Sequence, residues 1–134
     1  MQLPKGATVA VADGAKLNLF HNTGDEASPK LTAVEHAAVS SEHSGAGARH
    51  PSSSANPDDR QTSEDGFAAN TAALLNKQVL EGKIANLLVI AAPKTLGELR
   101  KHYHAKLSEV LVGELSKDLT GQSAADVEKA ILAA

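Results

Sequence analysis

The residues best placed to do chemistry follow one apolar run: Pro93, Lys94, Thr95, Gly97 and Arg100 come directly after Leu87 to Ala92. In open α/β sheets, ligands gather at the carboxyl ends of parallel strands. A helix that starts there with a glycine in its first turn presents backbone N–H groups to a phosphate, and Lys94 and Arg100 would add charge. The same residues also have a plainer reading. Thr95 and Glu98 match the T-x-x-E capping box, in which the threonine oxygen takes one free N–H and the glutamate sits where an anion would. The spacing therefore predicts a self-capped helix from Leu96 to about Leu107 ahead of a ligand cradle. Lys94, Gly97 and Arg100 are the candidate phosphate- or RNA-binding residues of this segment.

Other chemistries find fewer residues. Without a single cysteine, disulfides, thiolate metal sites and cysteine nucleophiles are excluded. A two-metal nuclease needs several converging carboxylates; Asp13 belongs to an Asp-Gly turn, Asp118 follows an apolar run, and no spacing joins them. Of the six histidines, His102 and His104 are two apart and point to different faces of a helix. His43 and His50 lack a ligand pattern such as H-E-x-x-H. No metal, cofactor or nucleophile–base pair is expected. Thirteen basic and sixteen acidic residues leave a net charge of -3, so a nucleic-acid contact must be local. Arg49 and Arg60 flank a Ser-rich stretch that could drape on RNA and order there, although Asp58, Asp59, Glu64 and Asp65 dilute that charge.

The elements that must position these groups are legible in the apolar pattern. Ala7 to Ala12 and Lys16 to Phe20 are β-like runs around Asp13-Gly14, a hairpin signal. A three-residue loop, Asp13 to Ala15, would pair Val11 with Leu17 and Val9 with Leu19, gathering the large side chains on one face. Leu31 to Val39 predicts a third strand. From Ser63 to Glu81 the residues Phe67, Thr71, Leu74, Leu75 and Val79 trace one helical face, with Thr62 and Asp65 as the start signal and Gly82 as the stop. Burying the four large apolar members would contribute roughly 6–12 kcal/mol before entropy. Leu87 to Ala92 reads as a strand covered on both faces. Glu109 to Ser116 is β-prone through Val110, Leu111 and Val112, with Gly113 weakening a helix. Ser123 with Asp126 caps a last helix bearing Val127, Ala130 and Ile131.

This succession predicts a single α/β domain spanning 1–134: a mixed five-stranded sheet in β-β-β-α-β-α-β-α order with helices packed on it and right-handed crossovers. Aromatics are only 2% of the chain, so Leu, Val, Ile and Ala must build the core. Residues 40–62 contain no Leu, Ile, Val, Met or aromatic and are expected to form a long flexible loop within the domain. The apolar run after MQLPKG is too short for a secretory signal, and no segment approaches the roughly 18 apolar residues that span a bilayer. A soluble, cytoplasmic protein without membrane insertion is expected.

Four segments carry a resemblance: VAVADGAKLNLF at 9–20, Phe67-Ala68, LLVIAAPKTLGELRKH at 87–102 and ELSKDLT at 114–120. In these the chain resembles the bacterial host-attachment protein family, proteins required for attachment to host cells. The resemblance implies a relation to the catalytic middle domain of archaeal and eukaryotic peptide release factors, a ribonuclease-H-like sheet order and work on the ribosome. Release factors act through Gly-Gly-Gln on a loop, a triplet this chain does not contain; Gly121-Gln122 and Gly45-Ala46-Gly47 come nearest. The leading expectation is a non-catalytic adaptor acting indirectly in host attachment through an unknown protein partner. The alternative is a translation-associated RNA- or ribosome-binding module without Gly-Gly-Gln.

Overall fold

Five extended runs assemble into one sheet in the computed structural model, which describes residues 2–41 and 59–134. The strands β1 (Thr8–Ala12), β2 (Leu17–Asn22) and β3 (Leu31–Val34) form an antiparallel meander. On the other side of β1 lie β4 (Leu87–Ala91) and β5 (Leu111–Ser116), both parallel to it. The order across the sheet is β3-β2-β1-β4-β5, compatible with the ribonuclease-H-like order. Helices α1 (Asp59–Leu80), α2 (Pro93–Arg100) and α3 (Ala105–Val110) cover one face, and α4 (Ala124–Ala133) covers the other.

Side chains alternate across a strand, so a strand covered on both faces feeds two cores. In β4, Leu87, Val89 and Ala91 meet Phe67 and Leu75 of α1, Leu96 and Leu99 of α2 and Leu107 of α3. Leu88 and Ile90 join Val127 and Ile131 of α4 on the reverse side. All five β4 residues are buried, which accounts for the unbroken apolar run. Helix α1 stops as expected at Gly82, whose φ is +79°. Lys83 N–H donates to the Gln78 carbonyl at 2.8 Å and Gly82 N–H to that of Val79 at 3.0 Å, the paired bonds of a Schellman cap. The start of α4 also follows expectation, with Ser123 Oγ accepting from Asp126 N–H at 3.2 Å.

Other boundaries differ from the sequence reading. The β1–β2 turn has four residues: Asp13 N–H donates to the Lys16 carbonyl, and Asp13 Oδ1 accepts from the N–H groups of Ala15 and Lys16. Ala12 therefore pairs with Leu17, Ala10 with Leu19 and Val9 with Phe20, one position away from the expected register. The expectation assumed one buried face. With both faces covered, nothing requires the large residues to segregate, and the aspartate's turn chemistry sets the register.

Strand β3 ends at Val34 rather than Val39. The next rung would join His36 to Leu17, but the Leu17 carbonyl meets the His36 ring, Nε2 lying 2.8 Å away. Helix α1 begins at Asp59, so Thr62 lies inside it and 59–62 are helical rather than loop. Residues 42–58, including Arg49, lie outside the described residues.

The expected helix from Leu96 to Leu107 is two helices. Pro93 occupies the first position of α2, its N-cap Ala92 makes no side-chain bond, and the Thr95–Glu98 capping box does not form. Proline presets φ and needs no partner for an N–H it lacks, so the helix starts three residues early. Its end is held by Asn76 of α1, which donates Nδ2 to the His102 carbonyl and accepts His104 N–H on Oδ1, both at 2.9 Å. His104 then caps α3, its Nδ1 accepting from Lys106 N–H at 3.0 Å. Glu109 and Val110 complete α3, and β5 begins only at Leu111.

Candidate functional site

Strand register brings four chain segments to one end of the sheet. Leu17, Ala12, Ala91 and Ser116 stand side by side, a row spanning about 14 Å at a strand spacing near 4.8 Å. Lys16 precedes the first of them, Lys94 follows Ala91 by three residues, and Lys117 follows Ser116. All three lysines are exposed, and none forms an ion pair with a described residue. Three solvated ammonium groups thus gather at the carboxyl ends of β1, β4 and β5, where this class of sheet places its ligands.

Between the lysines lies a tight polar joint. Thr120, in the loop from β5 to α4, has its hydroxyl 2.8 Å from Asp13 Oδ2 and 3.0 Å from Asp118 Oδ1, and Asn18 Nδ2 donates to the Thr120 carbonyl at 3.2 Å. The joint ties the β1–β2 turn to the approach of α4. Burial pushes the Asp13 carboxyl up, but bonds from Ala15, Thr120 and Lys16 and the charge of Lys16 outweigh it and hold the group below its ordinary value. Helix α1 closes over the turn: a Cβ on Gly14 would come within 2.7 Å of Glu64 Cγ. Among the described residues, no three His, Cys, Asp or Glu side chains are placed to share a metal ion.

The expected site residues separate in space. Lys94 and Gly97 sit on the first two turns of α2, at the end of β4. A Cβ on Gly97 would meet nothing within 4 Å, so no close contact demands glycine there. Arg100 lies about 120° around the helix from Lys94. It donates Nε and Nη2 to Glu114 Oε1 at 3.0 and 2.7 Å, while Tyr103 donates its hydroxyl to Glu114 Oε2 at 3.3 Å. The Glu114 carboxylate raises the Arg100 pKa, and burial followed by the Glu114 charge raises that of Tyr103. Arg100 therefore fastens α2 to β5. Arg60 lies in the first turn of α1.

Helix α2 lacks the expected box, and Glu98 instead holds Lys101 at 2.9 Å. The first N–H groups of α2 beside Lys94 are therefore not capped by a side chain. Sequence reasoning passed over Lys16 and Lys117, although the rule that selected Lys94 applies equally to a residue preceding β2 and one following β5.

At the opposite end, a groove of about 430 Å³ runs between the sheet and α1. Thr8, Leu19, His21 and Thr32 form its floor, with Gln78 and Lys83 on the helix side.

The family model of bacterial archaeo-eukaryotic release factor family 12 matches residues 6–131. No curated protein gives a significant match. The matched span starts two residues before β1 and ends in α4, taking in every strand and reaching every helix. With the whole sheet, the lysine-rich strand ends and nearly all of the helical residues inside that span, the chain belongs to the bacterial archaeo-eukaryotic release factor family.

Proposed function

We propose that this protein is a translation-associated RNA- or ribosome-binding module rather than a peptide-releasing enzyme. Family membership over 6–131 is the observation that carries the reading. The absence of a Gly-Gly-Gln triplet removes the group through which release factors act. Lys16, Lys94 and Lys117 supply the local positive charge that a chain of net charge -3 otherwise lacks. Asp13 and Asp118 stand at the same end as carboxylates that accept bonds from the β1–β2 turn and from Thr120, so the three lysines are the groups there whose charge can attract phosphate. Lysine serves there as a point charge, so contact with the nucleic-acid backbone rather than with bases is expected. A cytoplasmic setting follows from such a partner. No observation beyond the sequence resemblance favours the host-attachment adaptor.

Sedimentation of the intact chain with ribosomes tests the proposal. Binding is expected at about 50 mM salt and should weaken toward about 200 mM. Replacing Lys16, Lys94 and Lys117 with Gln should weaken it markedly without changing the fold. Failure of the intact chain to sediment with ribosomes or RNA at low salt would overturn the proposal.

A further inference from the structure

The two outer lysines of the strand-end row are fixed to the molecule in different ways. Lys16 closes the β1–β2 turn, its N–H reaching Asp13 Oδ1 at 2.6 Å and its carbonyl accepting the Asp13 N–H at 2.9 Å. Lys117 follows Ser116, the last residue of β5, at the edge of the sheet. Past that point no ladder holds the chain, and Thr120 fastens it. The Thr120 hydroxyl donates to Asp13 Oδ2 at 2.8 Å, and its carbonyl accepts Asn18 Nδ2 at 3.2 Å, on a hairpin that β4 separates from β5. One carboxylate thus holds the segment of Lys16 by Oδ1 and the segment of Lys117 by Oδ2. Asp118 Oδ1 also lies 3.0 Å from the hydroxyl, which has a single proton to give. It receives the Thr120 N–H at 3.4 Å as well, so Asp118 keeps a donor when the hydroxyl proton goes to Asp13.

We infer that Thr120 is a positioning residue of the phosphate-binding row: its hydroxyl fixes the loop that carries Lys117 against the turn that carries Lys16. The inference rests on the ribosome-binding reading above and adds to it the device that sets the spacing of the charges.

Two charges held at one spacing engage a phosphate backbone together, because the cost of ordering them has been met in folding. Without the hydroxyl, Leu119 still packs against the core under α4, and Asn18 still meets the backbone carbonyl at position 120. The loop therefore stays on the molecule, but Lys117 is no longer tied to Lys16 through Asp13. Both charges remain, so affinity falls while the number of phosphates engaged does not.

Sedimentation of the full chain with purified ribosomes at about 50 mM salt reads this directly. Thr120→Val, which keeps the shape and removes the hydroxyl, should lower the affinity roughly two- to tenfold. The dependence of the association constant on salt should keep its slope, and Thr120→Ser should bind as the parent does. In the parent, Lys16→Gln and Lys117→Gln should cost less together than the sum of their separate costs. In the Thr120→Val background the two costs should add. A loss of fold stability alone would leave that coupling unchanged. Parental affinity in Thr120→Val, failure of Thr120→Ser to restore binding, or coupling that survives in Thr120→Val would overturn the inference and leave ribosome binding standing. Absence of binding by the intact chain would overturn both.

Discussion

Two helix starts carry nearly the same sequence signal and are built differently. Thr95-x-x-Glu98 and Ser123-x-x-Asp126 both match the pattern of a polar N-cap with an acidic residue three places on, yet only Ser123 accepts the backbone N–H. The difference lies upstream. Pro93 stands two residues before Thr95 and sets the first helical φ by itself, so α2 has already begun when the threonine arrives. Nothing comparable precedes Ser123, and α4 depends on its serine and on the Thr120 joint to Asp13. A capping box is thus read correctly only after the residues before it have been checked for a stronger start signal. The uncapped start is the one beside Lys94 at the end of the sheet.

The comparison can be broken most forcefully at the anchors. Leu99 of α2 and Ile131 of α4 are both fully buried, so Leu99→Ala and Ile131→Ala should each cost about 2–5 kcal/mol in urea unfolding. A cost near zero for either would mean that its helix is not docked as described. The caps come next. Ser123→Ala should cost about 1 kcal/mol, whereas Thr95→Ala should stay within about 0.5 kcal/mol; equal costs would restore the capping box to α2.

Thr120→Val should cost about 0.5–1.5 kcal/mol by removing the hydroxyl that joins the turn to the α4 approach. Because the Asp13 carboxyl is held below its ordinary value, its contribution is complete above the unfolded value near pH 3.9. It is lost as pH falls through the lower native value. An Asp13→Asn protein should accordingly lose less additional stability than the parent below about pH 4, as measured by acid titration at fixed urea. An effect of the opposite sign is expected at Gly97→Ala, where open space and the helix preference for alanine should give a change between neutral and about 1 kcal/mol stabilising.

How much of the molecule could be read from its residues depends on the range of the interaction responsible. β4, the buried face of α1, the Gly82 cap and the α4 start were legible because each rests on neighbours within one element. The hairpin register was not, since it turned on whether a second helix layer covers the far face, and α4 lies more than a hundred residues from β1. The break between α2 and α3 depends on Asn76, over twenty residues earlier, and the early end of β3 on a ring standing in for a backbone rung. The position of Lys94 at the end of β4 was legible from the strand-end rule, and those of Lys16 and Lys117 were within its reach. The pairing of Arg100 with Glu114 was not legible, because the partner lies fourteen residues on, in a different element.

The most direct test of the central claim measures the affinity of the intact chain for ribosomes as a function of salt, beside the protein with Lys16, Lys94 and Lys117 replaced by Gln. If these lysines meet phosphates, the logarithm of the association constant should fall with the logarithm of salt concentration. The triple replacement should make that slope shallower by about 2, near 0.7 for each single-strand phosphate contact. Identical slopes for the two proteins would contradict the account.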